Sequence, residues 1–143
     1  MRNITYILIG MVSLFSLAQV SELRTIEHDG INRQFYLYVP ASYNQNNATP
    51  IMFNFHGGGG TASAHLNYTS DMRNLAESEN FILVYPQASP DPSSNVNSWI
   101  DKAGSNKNDI YFIEAIFNNL NSIYNIDDSR VYACGYSEGA IFT

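Results

Sequence analysis

The sequence predicts an α/β fold: a mainly parallel sheet with helices on both faces. Three observations carry that prediction. From residue 51 onward, short apolar runs alternate with segments of helical period. The run "FILVYP" and the "VYAC" of "RVYAC" are continuously apolar, as strands covered on both sides are. Two of the strands also run directly into glycine-bearing turns, "HGGGG" and "GYSEG".

Taken in order, "LRTIEH", Asp29-Gly30 and "RQFYLYVP" read as two strands joined by a tight turn, since Asp-Gly favours hairpin geometry, and Pro40 closes the second strand. Residues 43–50 are polar and Asn-rich, a loop. "IMFNFH" (51–56) is a strand that enters the glycines. A helix is expected from Thr69, with Tyr68, Met72, Leu75, Ala76 and Glu79 on one face and Thr69, Ser70 and Asp71 supplying acceptors for its free amides. "FILVYP" (81–86) is a buried strand. Residues 87–108 show no period, and an unstructured stretch of that length often lines a site. Asp109 is the expected cap of a second helix, whose core face holds Ile113, Ile116, Phe117, Leu120, Ile123 and Tyr124. "RVYAC" (130–134) is expected to be buried, and Ala140, Ile141 and Phe142 begin a last helix.

The bulk composition narrows the function classes. The chain has 143 residues, enough for one domain, and 45% hydrophobic residues with 10 Tyr and 8 Phe, enough to build a core. A net charge of −6 without a basic run argues against nucleic-acid or anionic-membrane partners. The single cysteine, Cys134, leaves no disulfide within the chain, and no Cys/His cluster suggests zinc. Nothing basic neighbours Cys134, so it reads as a small buried strand residue.

The first residues have the layout of a secretory signal peptide. Arg2 precedes an uncharged run from Ile4 to Ala18, with Ser16 and Ala18 as the small residues before a cut at Gln19. A membrane anchor is the alternative, but about 15 apolar residues fall short of the ~20 a spanning helix needs. The expected division is residues 1–18 as signal peptide and residues 19–143 as the amino-terminal part of one domain.

Two motifs carry chemistry. In Gly135-Tyr136-Ser137-Glu138-Gly139 a serine sits between an apolar strand and a helix start, where a sharp turn would lift its hydroxyl clear of the sheet. A plain glycine-bounded turn with an idle serine is the alternative. In Phe55-His56-Gly57-Gly58-Gly59-Gly60 the glycines allow backbone amides to approach an oxyanion, each donor lowering the barrier by about 3 kcal/mol. A flexible turn or a phosphate cradle is the alternative there, although no Gly-Lys-Ser/Thr follows and the spacing is not that of a dinucleotide site.

Together these motifs resemble the α/β-hydrolase superfamily. Within it, "RQFYLYVPASY", "PIMFNFHGGGG", "NFILVYPQA", "NSW" and "NDIYFIEAIFNNLNSIYNIDDSRVYACGYSEGA" occur in the order seen in secreted esterases of the polyhydroxybutyrate depolymerase and feruloyl or acetylxylan esterase type. The resemblance implies an α/β-hydrolase-type sheet, truncated after the nucleophile elbow. It implies Ser137 as nucleophile, and Gly58, Gly59 and Glu138 as oxyanion donors. It implies no metal or organic cofactor, and small-molecule or polymeric esters as substrates. A peptidase of the same fold and a non-catalytic hydrolase-like scaffold are the competing readings. Glu138 departs from the neutral residue common at that position and would oppose an oxyanion unless it points away. Trp99 resembles a pocket-lining tryptophan; packing of its loop is the alternative.

The general base is not evident. The superfamily's chain order is serine, acid, histidine, whereas His28, His56 and His65 all precede Ser137. His28 reads as a surface residue, His56 as a structural hydrogen-bonding residue and His65 as a loop residue. Asp101 and Asp109 read as a loop charge and a helix cap. The expectation is therefore an amino-terminal fragment whose acid and base lie beyond it, inactive and poorly soluble by itself, with "RVYAC" left with an unpaired edge.

Overall fold

A computed structural model describes residues 21–99 and 108–143. The expected signal peptide and Asp101 lie outside the described residues. Five strands form one sheet in the order β1-β2-β4-β3-β5: β1 Glu22–His28, β2 Ile31–Tyr38, β3 Thr49–Phe55, β4 Ile82–Pro86 and β5 Ile126–Gly135. The β1–β2 and β2–β4 pairs are antiparallel, while β3 pairs in parallel with both β4 and β5. Asp29 and Gly30 both have positive φ, 53° and 71°, which is the turn the Asp-Gly signal predicts. β3 starts two residues before the expected Ile51, so Thr49 and Pro50 belong to it.

Helices cover both faces. On one side α3 (Asp109–Asn121) seats Phe112, Ile116 and Leu120 against Phe35, Ile51, Phe53, Ile82 and Val84. On the other, Ala62, Leu66 and Ala76 pack on Tyr38, Leu83 and Tyr85. The alternation of side chains along β2, β3 and β4 divides the core this way.

Three expectations are corrected. The helix expected from Thr69 begins at Arg73 as α2 (Arg73–Glu79), and the residues before it form α1 (Ala62–Ala64) and a π-helical turn (His65–Thr69). Tyr68 is 88% exposed and Leu75 is also exposed, leaving Met72 and Ala76 as the residues of that face packed on the core. The break is made by the sheet. Asn54 donates to Ser70 Oγ and to Ser70 O, Tyr85 donates to Ser70 O, and the Met72 amide donates to Tyr85 Oη. Captured from below, Ser70 leaves helical geometry at φ −149° and ψ 68°.

Asp109 is not the cap of α3. Asn108 is, its Oδ1 accepting from the amides of Ile110 and Tyr111. Asp109, one residue on, is buried and ion-paired with Arg33, whose guanidinium also stacks 3.9 Å from the Phe112 ring centre. Burial pulls the Arg33 guanidinium down to about 10. Phe112, absent from the expected face, is fully buried in consequence.

Finally, β5 is not a buried strand. Among the described strands it pairs only with β3, and residues 130–133 are exposed, Val131 at 43% and Tyr132 at 48%. An apolar run shows what a strand can bury; sheet order decides what covers it.

Candidate active site

β5 ends at Gly135 and α4 (Glu138–Phe142) begins three residues later. Ser137 lies between them at φ 51° and ψ −118°, a region that costs a side-chain-bearing residue about 1–3 kcal/mol. Its hydroxyl makes no capping bond, and the residue is exposed. The turn is tight enough to need both flanking glycines. A β-carbon on Gly135 would fall 2.5 Å from the Gly139 carbonyl carbon, and one on Gly139 would fall 2.5 Å from His56 O and nearer still to Phe55 O.

The glycine segment meets this elbow directly. A β-carbon on Gly57 would lie 3.5 Å from Ser137 Cβ and 3.1 Å from Tyr136 Cδ1. A β-carbon on Gly58 would lie 2.6 Å from Glu138 Oε2. The Gly60 amide donates to Gly57 O, closing the segment into a turn. The Gly58 and Glu138 amides have no protein acceptor among the described residues.

Gly59 is a correction. Its φ is +71° and its amide donates to Asn97 O at 2.7 Å, so that N–H points into the 87–99 loop. Of the three expected donors, Gly58 and Glu138 keep amides without a protein acceptor among the described residues, and Gly59 does not.

Oε1 of the Glu138 carboxylate accepts from Ser98 Oγ at 2.6 Å, while Oε2 is buried beside Gly58 with no partner among the described residues. On this side a cleft of about 360 Å³ is lined by Gly58, Asp91, Ser94, Asn97, Ser98 and Glu138. A smaller one, about 130 Å³, lies across the glycine segment between His65, Thr69 and Tyr136.

No described histidine bonds to Ser137. The Ala88 amide donates to His56 Nε2, so the proton sits on Nδ1, which donates to Gly57 O at 2.7 Å. His56 is thus a neutral structural residue, as its place at the strand end suggests. His65 Nε2 donates to Asn54 Oδ1 at 2.8 Å, and burial pulls the imidazole down to about 4. His28 is half-buried beside Phe112 on the remote hairpin rather than on the surface. Cys134 is half-buried near Met72 Sδ, its thiol pushed up by burial.

Trp99 takes the packing alternative. It is buried in the core, stacked on Phe142 at 4.9 Å and edge-on to Phe55 at 5.2 Å, with Nε1 donating to His56 O at 2.7 Å. Packing holds it, and it lines neither cleft. Sequence reasoning missed Asn97 and Ser98, whose signal was the polar pair preceding that tryptophan in "NSW".

No family model matches the sequence. The chain is 30% identical over 117 residues to the bifunctional acetylxylan esterase/xylanase XynS20E of Neocallimastix patriciarum, covering 80% of this chain and 16% of that protein. It is 31% identical over 134 residues to poly(3-hydroxyalkanoate) depolymerase C of Paucimonas lemoignei, covering 92% of this chain and 31% of that protein. Among solved structures, the ferulic acid esterase of Anaeromyces mucronatus superposes with a TM-score of 0.64 at 20% identity, over 85% of this chain and half of that one. The chain thus spans less than a third of the length of either of those two sequence relatives. The chain has the α/β-hydrolase type of fold, and its sequence relatives are acetylxylan esterases, feruloyl esterases and a poly(3-hydroxyalkanoate) depolymerase.

Proposed function

We propose that this chain carries the nucleophile and oxyanion site of a secreted serine hydrolase acting on carboxylic esters, small or polymeric. The observation that carries the reading is the strained Ser137 backbone beside Gly57, where an added β-carbon would lie 3.5 Å from Ser137 Cβ. Ser137 Oγ adds to the ester carbonyl, its proton passing to a base; the alcohol departs with a proton as the acyl-enzyme forms, and water reverses the sequence. The Gly58 and Glu138 amides donate to the oxyanion. The acid and the histidine base come from outside the described residues. The names of the relatives, esterases and a depolymerase, support the ester class. The charged start and apolar run of residues 2–18 support export. Among the described residues no helix is long and apolar enough to cross a membrane.

The scaffold reading draws on one observation, the Glu138 carboxylate buried beside the elbow. A fluorophosphonate separates the two. With imidazole supplied as external base, the oxyanion amides by themselves should sustain reaction, since residual catalysis of roughly 10³-fold or more persists in serine hydrolases stripped of their triad. Labelling by mass at Ser137, lost in Ser137→Ala, is expected; no labelling favours the scaffold.

A further inference from the structure

Three consecutive residues of the long loop each grip a different wall of the elbow. Asn97 holds two peptide groups of the glycine segment: its main-chain carbonyl accepts from the Gly59 amide at 2.7 Å, and its Nδ2 donates to Gly60 O at 2.8 Å. Ser98 Oγ donates to Glu138 Oε1 at 2.6 Å, reaching the first residue of α4. Trp99 Nε1 donates to His56 O at 2.7 Å, at the end of β3. The loop itself is stiffened before it arrives. Asp91 Oδ1 accepts from the amides and hydroxyls of Ser93 and Ser94, bonds that hold its carboxyl near 2, Ser93 hydroxyl foremost. The Asp91 amide donates to Val96 O, and Pro90 bridges Asn97.

We propose that residues 97–99 act as a strap that sets the gap between the Gly58 and Glu138 amides, making Asn97 and Ser98 positioning residues for the oxyanion site. The inference rests on the serine-hydrolase reading above. The two amides belong to segments far apart in sequence, one after β3 and one opening α4. The only direct side-chain bond from Glu138 to the rest of the protein, among the described residues, is the one to Ser98. The bond from the Gly59 N–H commits the Gly58–Gly59 peptide plane to Asn97, and the Gly60 residue that Asn97 Nδ2 also holds donates to Gly57 O, the carbonyl of the peptide that carries the Gly58 N–H. Neither Asn97 nor Ser98 touches the reacting atoms; each acts through the donors it holds. Positional errors of about 1 Å at such donors lower rates by about 10²-fold.

The test uses the full chain, an ethyl fluorophosphonate and imidazole as base. Ser137 Oγ forms the bond to phosphorus, fluoride leaves and imidazole takes the proton. Asn97→Asp puts an acceptor against Gly60 O in the same shape, and Ser98→Ala removes the donor to Glu138. Both should lower the limiting rate of labelling by about tenfold or more, with the half-saturating probe concentration within about twofold of wild type. Ser98→Thr, which restores the hydroxyl, should recover most of the rate. Thermal midpoints of all three variants should stay within about 3 °C of the parent, and the Gly59 amide should exchange faster in Asn97→Asp. Limiting rates within twofold of wild type, a change confined to half-saturation, or rate losses that follow the thermal midpoint would each overturn the strap while leaving the serine reading intact. A wild-type chain unlabelled at Ser137 overturns both.

Discussion

The Glu138 carboxylate occupies the space that a side chain at Gly58 would need: Oε2 lies 2.6 Å from where the β-carbon would be. The residue following Ser137 and the centre of the glycine segment therefore constrain each other, and the acidic group lies under the loop.

Gly58→Ala is expected to be tolerated by the fold but not by the site. The obstructing atom is the end of a flexible side chain, which can swing out at a cost of under about 1 kcal/mol, breaking the bond to Ser98. Gly139→Ala meets backbone, Phe55 O and His56 O, which cannot yield, and should cost about 3 kcal/mol or more. Chemical denaturation of the two variants beside wild type reads the contrast, and equal losses would contradict it.

Ser137→Gly should stabilise the chain by about 1 kcal/mol while abolishing phosphonate labelling. Its φ of 51° with ψ of −118° suits glycine, and relief of strain outweighs the added freedom of the unfolded chain. Ser137→Ala keeps the β-carbon and should bring no such gain. A Gly variant no more stable than the Ala variant would mean that the elbow stores no strain.

Acid should weaken the fold through His65. Its folded-state value lies near 4, depressed by burial, against about 6.5 when unfolded. The unfolded chain then takes up a proton first as pH falls, so the neutral imidazole's contribution is complete above about pH 6.5 and is lost between there and pH 4. Allowing for solvent screening, the loss is on the order of 2 kcal/mol. His65→Gln, which keeps a donor for Asn54 Oδ1, should flatten that part of the stability–pH curve. An unchanged slope in the variant would assign the dependence elsewhere.

Asp109→Ala should cost about 3 kcal/mol, because it leaves the buried Arg33 guanidinium without its carboxylate. The double variant Arg33→Met, Asp109→Leu should recover most of that loss. Urea titration of the single and double variants measures the difference, and a double variant no better than the single one would show that packing rather than charge holds the pair.

Much of this was legible in advance. The hairpin at Asp29-Gly30, the alternation after residue 51, and the serine turn rest on local chemistry: positive φ at particular residues, period two against 3.6, and small residues beside a bend. Local rules reach no further than the segment that obeys them. Tyr68 and Leu75 share a helical period with Met72 and Ala76, yet Asn54 and Tyr85, on two different strands, capture Ser70 and break that helix. Asp109 has the residue type of a cap, yet Arg33 on β2 draws it inside and leaves the cap to Asn108.

The sequence by itself determined that a strand would hand Ser137 to a helix through a glycine-flanked bend, because only glycines clear the backbone there. Only the tertiary structure decided which glycine amides remain open, that Trp99 is core, and that the side chains of β5 as well as its edge are exposed. Those outcomes depend on partners distant in the chain, Asn97 for Gly59, Phe142 for Trp99, and β3 as the sole neighbour of β5 among the described strands.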